Sequence, residues 1–132
     1  MSTNRNKWAM GFVLVLSLCT SLYAQMGHWE YLGDAHVDGA QDHDSIKVGR
    51  AAGGYHAIQL RISGGAINFE RVIVRYGNGE KEEIPIRAHI PDGGQTRVID
   101  LPGHRRIIKS LDLWYSKDKW EKRPKVSLYG LN

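Results

Sequence analysis

Cysteine is almost missing from this chain, which holds only Cys19 among its 132 residues. A single cysteine cannot form an intrachain disulfide, and it cannot supply the two to four thiolates of a Cys-based zinc site. Cys19 also lies in a segment that we expect to be cleaved off, which excludes thiol catalysis. The stability of the domain must therefore come from its packed core alone.

No apolar run is long enough to span a membrane. The longest, Met10–Leu22, has 13 residues, whereas a helical span needs roughly 20. Arg5 and Lys7 precede this run, an order typical of a secretory signal peptide. We expect residues 1–24 to be removed and residues 25–132 to form one secreted or periplasmic domain, with no membrane anchor after cleavage. The alternative is that the apolar run anchors the protein in a membrane.

Helical periodicity is missing too, and alternating strands take its place. Leu111, Leu113 and Tyr115 share one face of a strand, whereas Asp112 and Trp114 share the other. About eight such short strands are separated by turn residues. This pattern predicts an all-β protein, built as a single antiparallel two-sheet sandwich of the jelly-roll type.

Four local signals refine this prediction. Asn78–Gly79 favours a type I′ hairpin turn. The apolar alternation changes phase at Glu70–Arg71, which predicts a bulge or a crossing between sheets. Pro85 indicates an edge strand. The segment Asp34–Asp44 is acidic and contains glycine, which predicts a loop.

Charge of either sign is modest overall but unevenly distributed. The formal net charge is +4, and it falls to +2 without the signal segment. Residues 25–60 carry −3 and residues 104–132 carry +5. The imbalance indicates either a basic patch for an anionic partner or first and last strands that lie close together with complementary charges. A charge of +2 on an exported domain argues against nucleic acid as the partner.

Several stretches resemble a family of small exported bacterial proteins known only as a domain of unknown function. They are Asp42–Arg50, AIQLRISGGAI, the YGNGE hairpin and GGQTRVIDLPG followed by Arg106 and Ile107. The resemblance covers nearly the whole of residues 25–132 and implies a secreted or periplasmic β-sandwich. The arrangement is more loosely similar to galactose-binding-type jelly rolls, a likeness of architecture that transfers no function.

The acidic loop is the one candidate metal site. Calcium binds several hard oxygen ligands from a loop that folds back on itself, so a structural calcium ion is the hypothesis and no other cofactor is expected. The alternative is a solvated acidic loop. The candidate ligands are Asp34, Asp38, Asp42 and Asp44. The 6 histidines have no close pairing that would indicate zinc.

No sequence motif for catalysis is present. There is no G-x-S-x-G, and no serine, histidine and aspartate can be chosen as a triad except arbitrarily. We therefore assign no catalytic residue and favour a binding protein over an enzyme. A small hydrolase and a structural protein of the cell envelope remain the alternatives.

Aromatic residues beside basic ones are the best candidates for ligand binding. Trp29, Tyr31, Tyr55, Trp114 and Trp120 could form a flat platform for sugar rings, or could instead cover the edges and ends of the sandwich. Trp120 lies in a basic loop, where a core role is hard to arrange. We expect a glycan or an envelope protein as the partner. The predicted contact residues are Trp114, Lys117, Lys119, Trp120, Lys122 and Arg123.

Overall fold

The computed structural model describes residues 27–37, 43–49, 53–117 and 122–132. These residues form nine strands: β1 (Trp29–His36), β2 (His43–Lys47), β3 (Ala57–Ser63), β4 (Ile67–Tyr76), β5 (Lys81–Ile84), β6 (Ala88–Ile90), β7 (Ile99–Asp100), β8 (Ile108–Lys117) and β9 (Lys125–Leu131). Nowhere in the described ranges is there a helix long and apolar enough to cross a membrane. The expected signal peptide lies outside the described residues, so its cleavage stays a prediction.

The strands form two antiparallel sheets. The first has the order β1-β9-β3-β7, and the second has the order β2-β8-β4-β5 with β6 also paired to β4. The predicted all-β, two-sheet sandwich is therefore confirmed. The ninth strand, β6, was not among the eight predicted, because its three residues are too few to show an alternation.

The core lies between the sheets and follows the predicted alternation. Ile58, Leu60 and Ile62 of the first sheet and Leu111 and Leu113 of the second are all buried. Each such side chain contributes about 1.5–3 kcal/mol by leaving water. Among the described residues, twenty-four buried side chains form one cluster, which supplies the stability that no disulfide provides.

The first and last strands lie side by side, as one interpretation of the charge distribution required. β1 pairs with β9, and a bulge between Tyr31 and Gly33 resets their register. Pairing then continues to His36. The predicted loop Asp34–Asp44 is therefore wrong at both ends, because Asp34 belongs to β1 and Asp44 belongs to β2.

The hairpin between β4 and β5 is confirmed, but its predicted turn type is wrong. A type I′ turn requires positive φ at both central residues, and Asn78 does not have it. Instead the Gly79 amide donates to the carbonyl of Tyr76, and Gly79 itself has φ 90°. This is a three-residue loop, a type I turn closed by a glycine bulge, and Asn78 Oδ1 accepts from the Glu80 amide.

Candidate functional site

Trp114 stands on the outward face of the second sheet between two cross-strand neighbours. It pairs with His43 of β2 on one side of β8 and with Arg71 of β4 on the other. The imidazole of His43 stacks on the indole with centroids 4.4 Å apart and planes 13° apart. The Arg71 guanidinium carbon lies 4.9 Å from the centre of the indole ring. These neighbours fix the orientation of the Trp114 ring.

Beside Trp114 the edge of the sheet opens into a groove, because β4 changes partner there. β5 pairs with Val72–Arg75 and β6 pairs with Ile67–Phe69, which leaves the bulge at Glu70 between them. In the segment that connects β5 to β6, the Ile86 amide donates to the Ile84 carbonyl at 2.8 Å. This contact forms a γ-turn centred on Pro85. Proline has the fixed φ that this turn needs and no amide to pair with β4.

The groove has a volume of about 930 Å³, within the range of about 300–1,000 Å³ common for small-molecule sites. Its wall carries an ion pair, in which Arg71 Nε donates to Glu83 Oε1 at 2.7 Å. We call this site the Trp114 groove. It is lined by Glu70, Arg71, Glu83, Ile84, Pro85, Ile86, Arg87 and Trp114.

Three polar groups of the Trp114 groove are available to a ligand. Across the part of the chain that is described, neither Glu70 nor Arg87 has an ion-pair or hydrogen-bond partner. The indole Nε1–H of Trp114 likewise has no acceptor there. The groove therefore offers an anionic acceptor, a cationic donor and a neutral donor around one rigid aromatic ring.

A second ion pair supports the sheet behind the Trp114 groove. Arg75 Nε donates to Asp112 Oδ2 at 2.8 Å, and Asp112 is buried although it belongs to the outward face. A buried carboxylate without a partner is costly, so this contact holds Asp112 and Arg75 in place. Asp112 lies two residues from Trp114 on the same face of β8.

The predicted contact residues separate into two places. Trp114 lies in the groove. Lys117, Lys122 and Arg123 lie at the end of β8 and in the connection to β9, where Lys117 Nζ donates to the Lys122 carbonyl at 3.1 Å. By strand alternation Lys117 points to the opposite face from Trp114. Lys119 and Trp120 lie outside the described residues, and their contact role stays a prediction.

The aspartates of the calcium hypothesis are only partly described. The Asp34 carboxylate accepts from the Tyr31 hydroxyl, and the Asp44 carboxylate accepts from the Tyr115 hydroxyl at 3.2 Å. Asp38 and Asp42 lie outside the described residues. Within the described ranges no three acidic, histidine or cysteine side chains gather into a metal site. A structural calcium ion stays a prediction, tested by whether calcium or a chelator moves the thermal melt.

Sequence reasoning missed the four charged groove residues, which are Glu70, Arg71, Glu83 and Arg87. Two features of the sequence mark this region, the phase change at Glu70–Arg71 and Pro85. The local sequence does not show, however, that these two segments lie side by side in the fold. One aromatic candidate was also wrong. Tyr55 is fully buried, because its ring packs where a side chain at position 130 would be, and that residue is glycine.

A protein-family model matches residues 11–130, nearly the whole chain. The chain belongs to the family described as a domain of unknown function, DUF2541. This confirms the resemblance seen in the sequence. A search of curated protein sequences finds no match to this DUF2541 member.

Two solved structures resemble the DUF2541 fold. Pseudomonas aeruginosa AlgX matches with a TM-score of 0.50 and 16% identity over 75% of this chain. That match covers 26% of AlgX, so the chain spans about a quarter of that protein. A mutant of a carbohydrate binding module of family 29 matches with a TM-score of 0.40 and 13% identity, covering 81% of this chain and 82% of the module. At 16% identity, the AlgX match shows only that the two proteins share an architecture.

Proposed function

We propose that this DUF2541 domain is a non-catalytic binding module and that carbohydrate binds in the Trp114 groove. The observation that carries the proposal is the rigidly held Trp114 ring beside Glu70 and Arg87, which have no partner in the described part of the chain. A sugar ring presents hydroxyls that both donate and accept. The edge of an indole, with its N–H donor between an acidic and a basic side chain, complements those hydroxyls.

The charge balance of the groove favours a neutral or weakly charged ligand. Glu70 and Glu83 offset Arg71 and Arg87, so the lining has no net charge. A phosphate-rich ligand such as nucleic acid would call for an excess of basic side chains. Saccharide hydroxyls, in contrast, accept from Arg87 and from the Trp114 indole while they donate to Glu70.

Preorganisation adds to the affinity expected of this groove. His43 and Arg71 hold the indole, and Glu83 holds Arg71, so these side chains lose little rotational freedom when a ligand binds, whereas Glu70 and Arg87 are ordered by the ligand. Because the neighbours occupy its ring faces, Trp114 meets the ligand with its edge and its Nε1–H. This differs from the open stacking platform, which was one of the two interpretations of the aromatic residues.

We also propose that the domain acts outside the cytoplasm, as the signal-peptide pattern of residues 1–24 predicts. Mass spectrometry of the exported protein tests this, with an N-terminus at Gln25 expected. A mature protein that retains Met10–Leu22 would contradict it.

A glycan array followed by calorimetry on the best ligand tests the binding function. Trp114→Ala and Arg87→Ala should each weaken binding about tenfold or more. The matched control is Arg97→Ala, which removes an exposed arginine that is not part of the groove lining; its affinity should stay within about twofold of the wild type. An array without any bound glycan, or full affinity in both groove variants, would overturn the proposal.

A further inference from the structure

The outward face of the first sheet carries a second cluster, on the opposite side of the sandwich from the Trp114 groove. Tyr31 of β1 pairs with Tyr129 of β9, which pairs in turn with Gln59 of β3. Arg61 lies two residues along β3 on the same outward face. We call Tyr31, Arg61 and Tyr129 the Tyr–Arg face.

Arg61 is held from two directions. Its guanidinium carbon lies over the Tyr129 ring, 3.9 Å from the centre, in a cation–π contact. Its Nε donates to Gln59 Oε1 at 3.3 Å, and Gln59 Nε2 donates to the Thr96 carbonyl at 3.1 Å. Gln59 is only 6% exposed although it belongs to the outward face. A buried amide thus sets the orientation of the guanidinium.

Within the residues that are described, neither terminal nitrogen of Arg61 has a hydrogen-bond acceptor. Their N–H groups are therefore available to a ligand. A guanidinium in this state presents a planar fork of N–H groups, which matches the two oxygens of a carboxylate. Lys125, on the neighbouring row of the same face, adds a second positive charge.

Tyr31 supplies the apolar part of the surface. It is 54% exposed and packs edge to face on Tyr129, with centroids 5.7 Å apart and planes at 71°. Its hydroxyl donates to the Asp34 carboxylate. That contact fixes the orientation of the Tyr31 ring.

We propose that the Tyr–Arg face is a second binding site, and that it takes a saccharide unit carrying a carboxylate, a uronic acid. The carboxylate pairs with the free fork of Arg61 while the sugar ring lies against Tyr31. This site shares no residue with the Trp114 groove, whose lining has no net charge. The two sites can therefore be tested independently of each other.

Calorimetry with an oligomer of galacturonic acid tests this site, with the fully methyl-esterified oligomer as the ligand control. The acid should bind, and the ester, which has the same sugar but no charge, should bind at least tenfold more weakly. Arg61→Ala should weaken acid binding at least tenfold. Arg61→Lys, which keeps the charge but loses the fork, should weaken it about threefold to tenfold.

Lys109→Ala is the matched protein control, because it removes one exposed positive charge from the other sheet. It should leave the affinity for the acid within about twofold. Tyr31→Ala is the second test variant, since an exposed ring can be removed without emptying the core, and it should weaken binding about fivefold or more. A thermal melt of each variant confirms folding.

Three results would overturn the inference. They are no binding of the acid, equal binding of acid and ester, and full affinity in Arg61→Ala or Tyr31→Ala. Loss of acid binding in Trp114→Ala with full affinity in Arg61→Ala would assign the acid to the groove instead, which would support the proposed function and reject this second site.

Discussion

The imidazole of His43 and the indole of Trp114 stack nearly parallel, with 4.4 Å between their centroids. They come from neighbouring strands and are directly paired in register, so the contact follows from the pairing of β2 with β8. An offset aromatic pair of this kind contributes about 0.5–1.5 kcal/mol beyond the area it buries. The stack therefore joins the edge strand β2 to a residue that lines the Trp114 groove.

A double-mutant cycle measures this coupling. His43→Ala and Trp114→Ala should each lower the free energy of unfolding, and the double variant should lose about 0.5–1 kcal/mol less than the sum of the two. Urea denaturation of the four proteins provides the values. Strictly additive losses would show that the two rings stabilise the fold independently.

The core between the sheets should be sensitive to truncation. Leu113 is fully buried in β8, so Leu113→Ala should lower the free energy of unfolding by about 2–5 kcal/mol, through lost burial and the cavity left behind. Ile107→Ala is the control, because Ile107 is 61% exposed, and it should change stability by about 0.5 kcal/mol or less. Equal effects in urea denaturation would contradict the assignment of the core.

Gly130 should not tolerate a side chain. A Cβ there would lie 2.6 Å from Tyr55 Cδ1 and 2.9 Å from Leu32 Cδ1, and both residues are buried. Gly130→Ala should therefore lower the free energy of unfolding by about 1–3 kcal/mol, because the added methyl group would overpack the core. Gly53→Ala, where a Cβ would have no neighbour within 4 Å, should leave the midpoint of thermal unfolding almost unchanged. A melt of Gly130→Ala that matches wild type would contradict this packing.

Stability should fall in alkaline solution. Burial raises the pKa of Tyr55 to about 12 and that of Tyr76 to about 12, and Glu30 and Glu82 strengthen the two shifts. An unfolded tyrosine has a pKa of about 10, so between pH 10 and 12 the unfolded chain releases protons that the folded chain keeps. The contribution is complete below pH 10 and is lost as the pH rises towards 12.

Denaturation curves at pH 8, 10 and 11 check this pH dependence. The wild type should lose stability between pH 10 and pH 11, and the double variant Tyr55→Phe, Tyr76→Phe should lose less over the same interval. An identical loss in both proteins would assign the alkaline transition to other groups.

Apart from the three-residue β6, the sequence was sufficient to predict the strands that bury one face. Leu111, Leu113 and Tyr115 alternate with Asp112 and Trp114, and this period of two is a local property that fixes which side chains enter the core. The bulge at Glu70 was visible for the same reason. The architecture follows once both sheets need a partner for their apolar faces.

The Trp114 groove could not be predicted in the same way, because it depends on pairing between strands distant in sequence. Arg71 lies opposite Trp114 only through the register of β4 with β8, and Pro85 reaches the same place only through the pairing of β5 with β4. The burial of Tyr55 is a similar case, since the space for its ring comes from Gly130 at the far end of the chain. The local sequence pattern does not show which residues distant in sequence come into contact.

The most direct test of the account is a ¹⁵N-labelled NMR titration of the domain with the glycan selected by the array. We predict that the Trp114 indole N–H signal shifts most, together with backbone amides of residues 70–71 and 83–87, excluding Pro85, which has none. The core strand β3 should stay unchanged. A titration in which the glycan binds but leaves the Trp114 indole and those amides unperturbed would contradict the central claim that the groove binds carbohydrate.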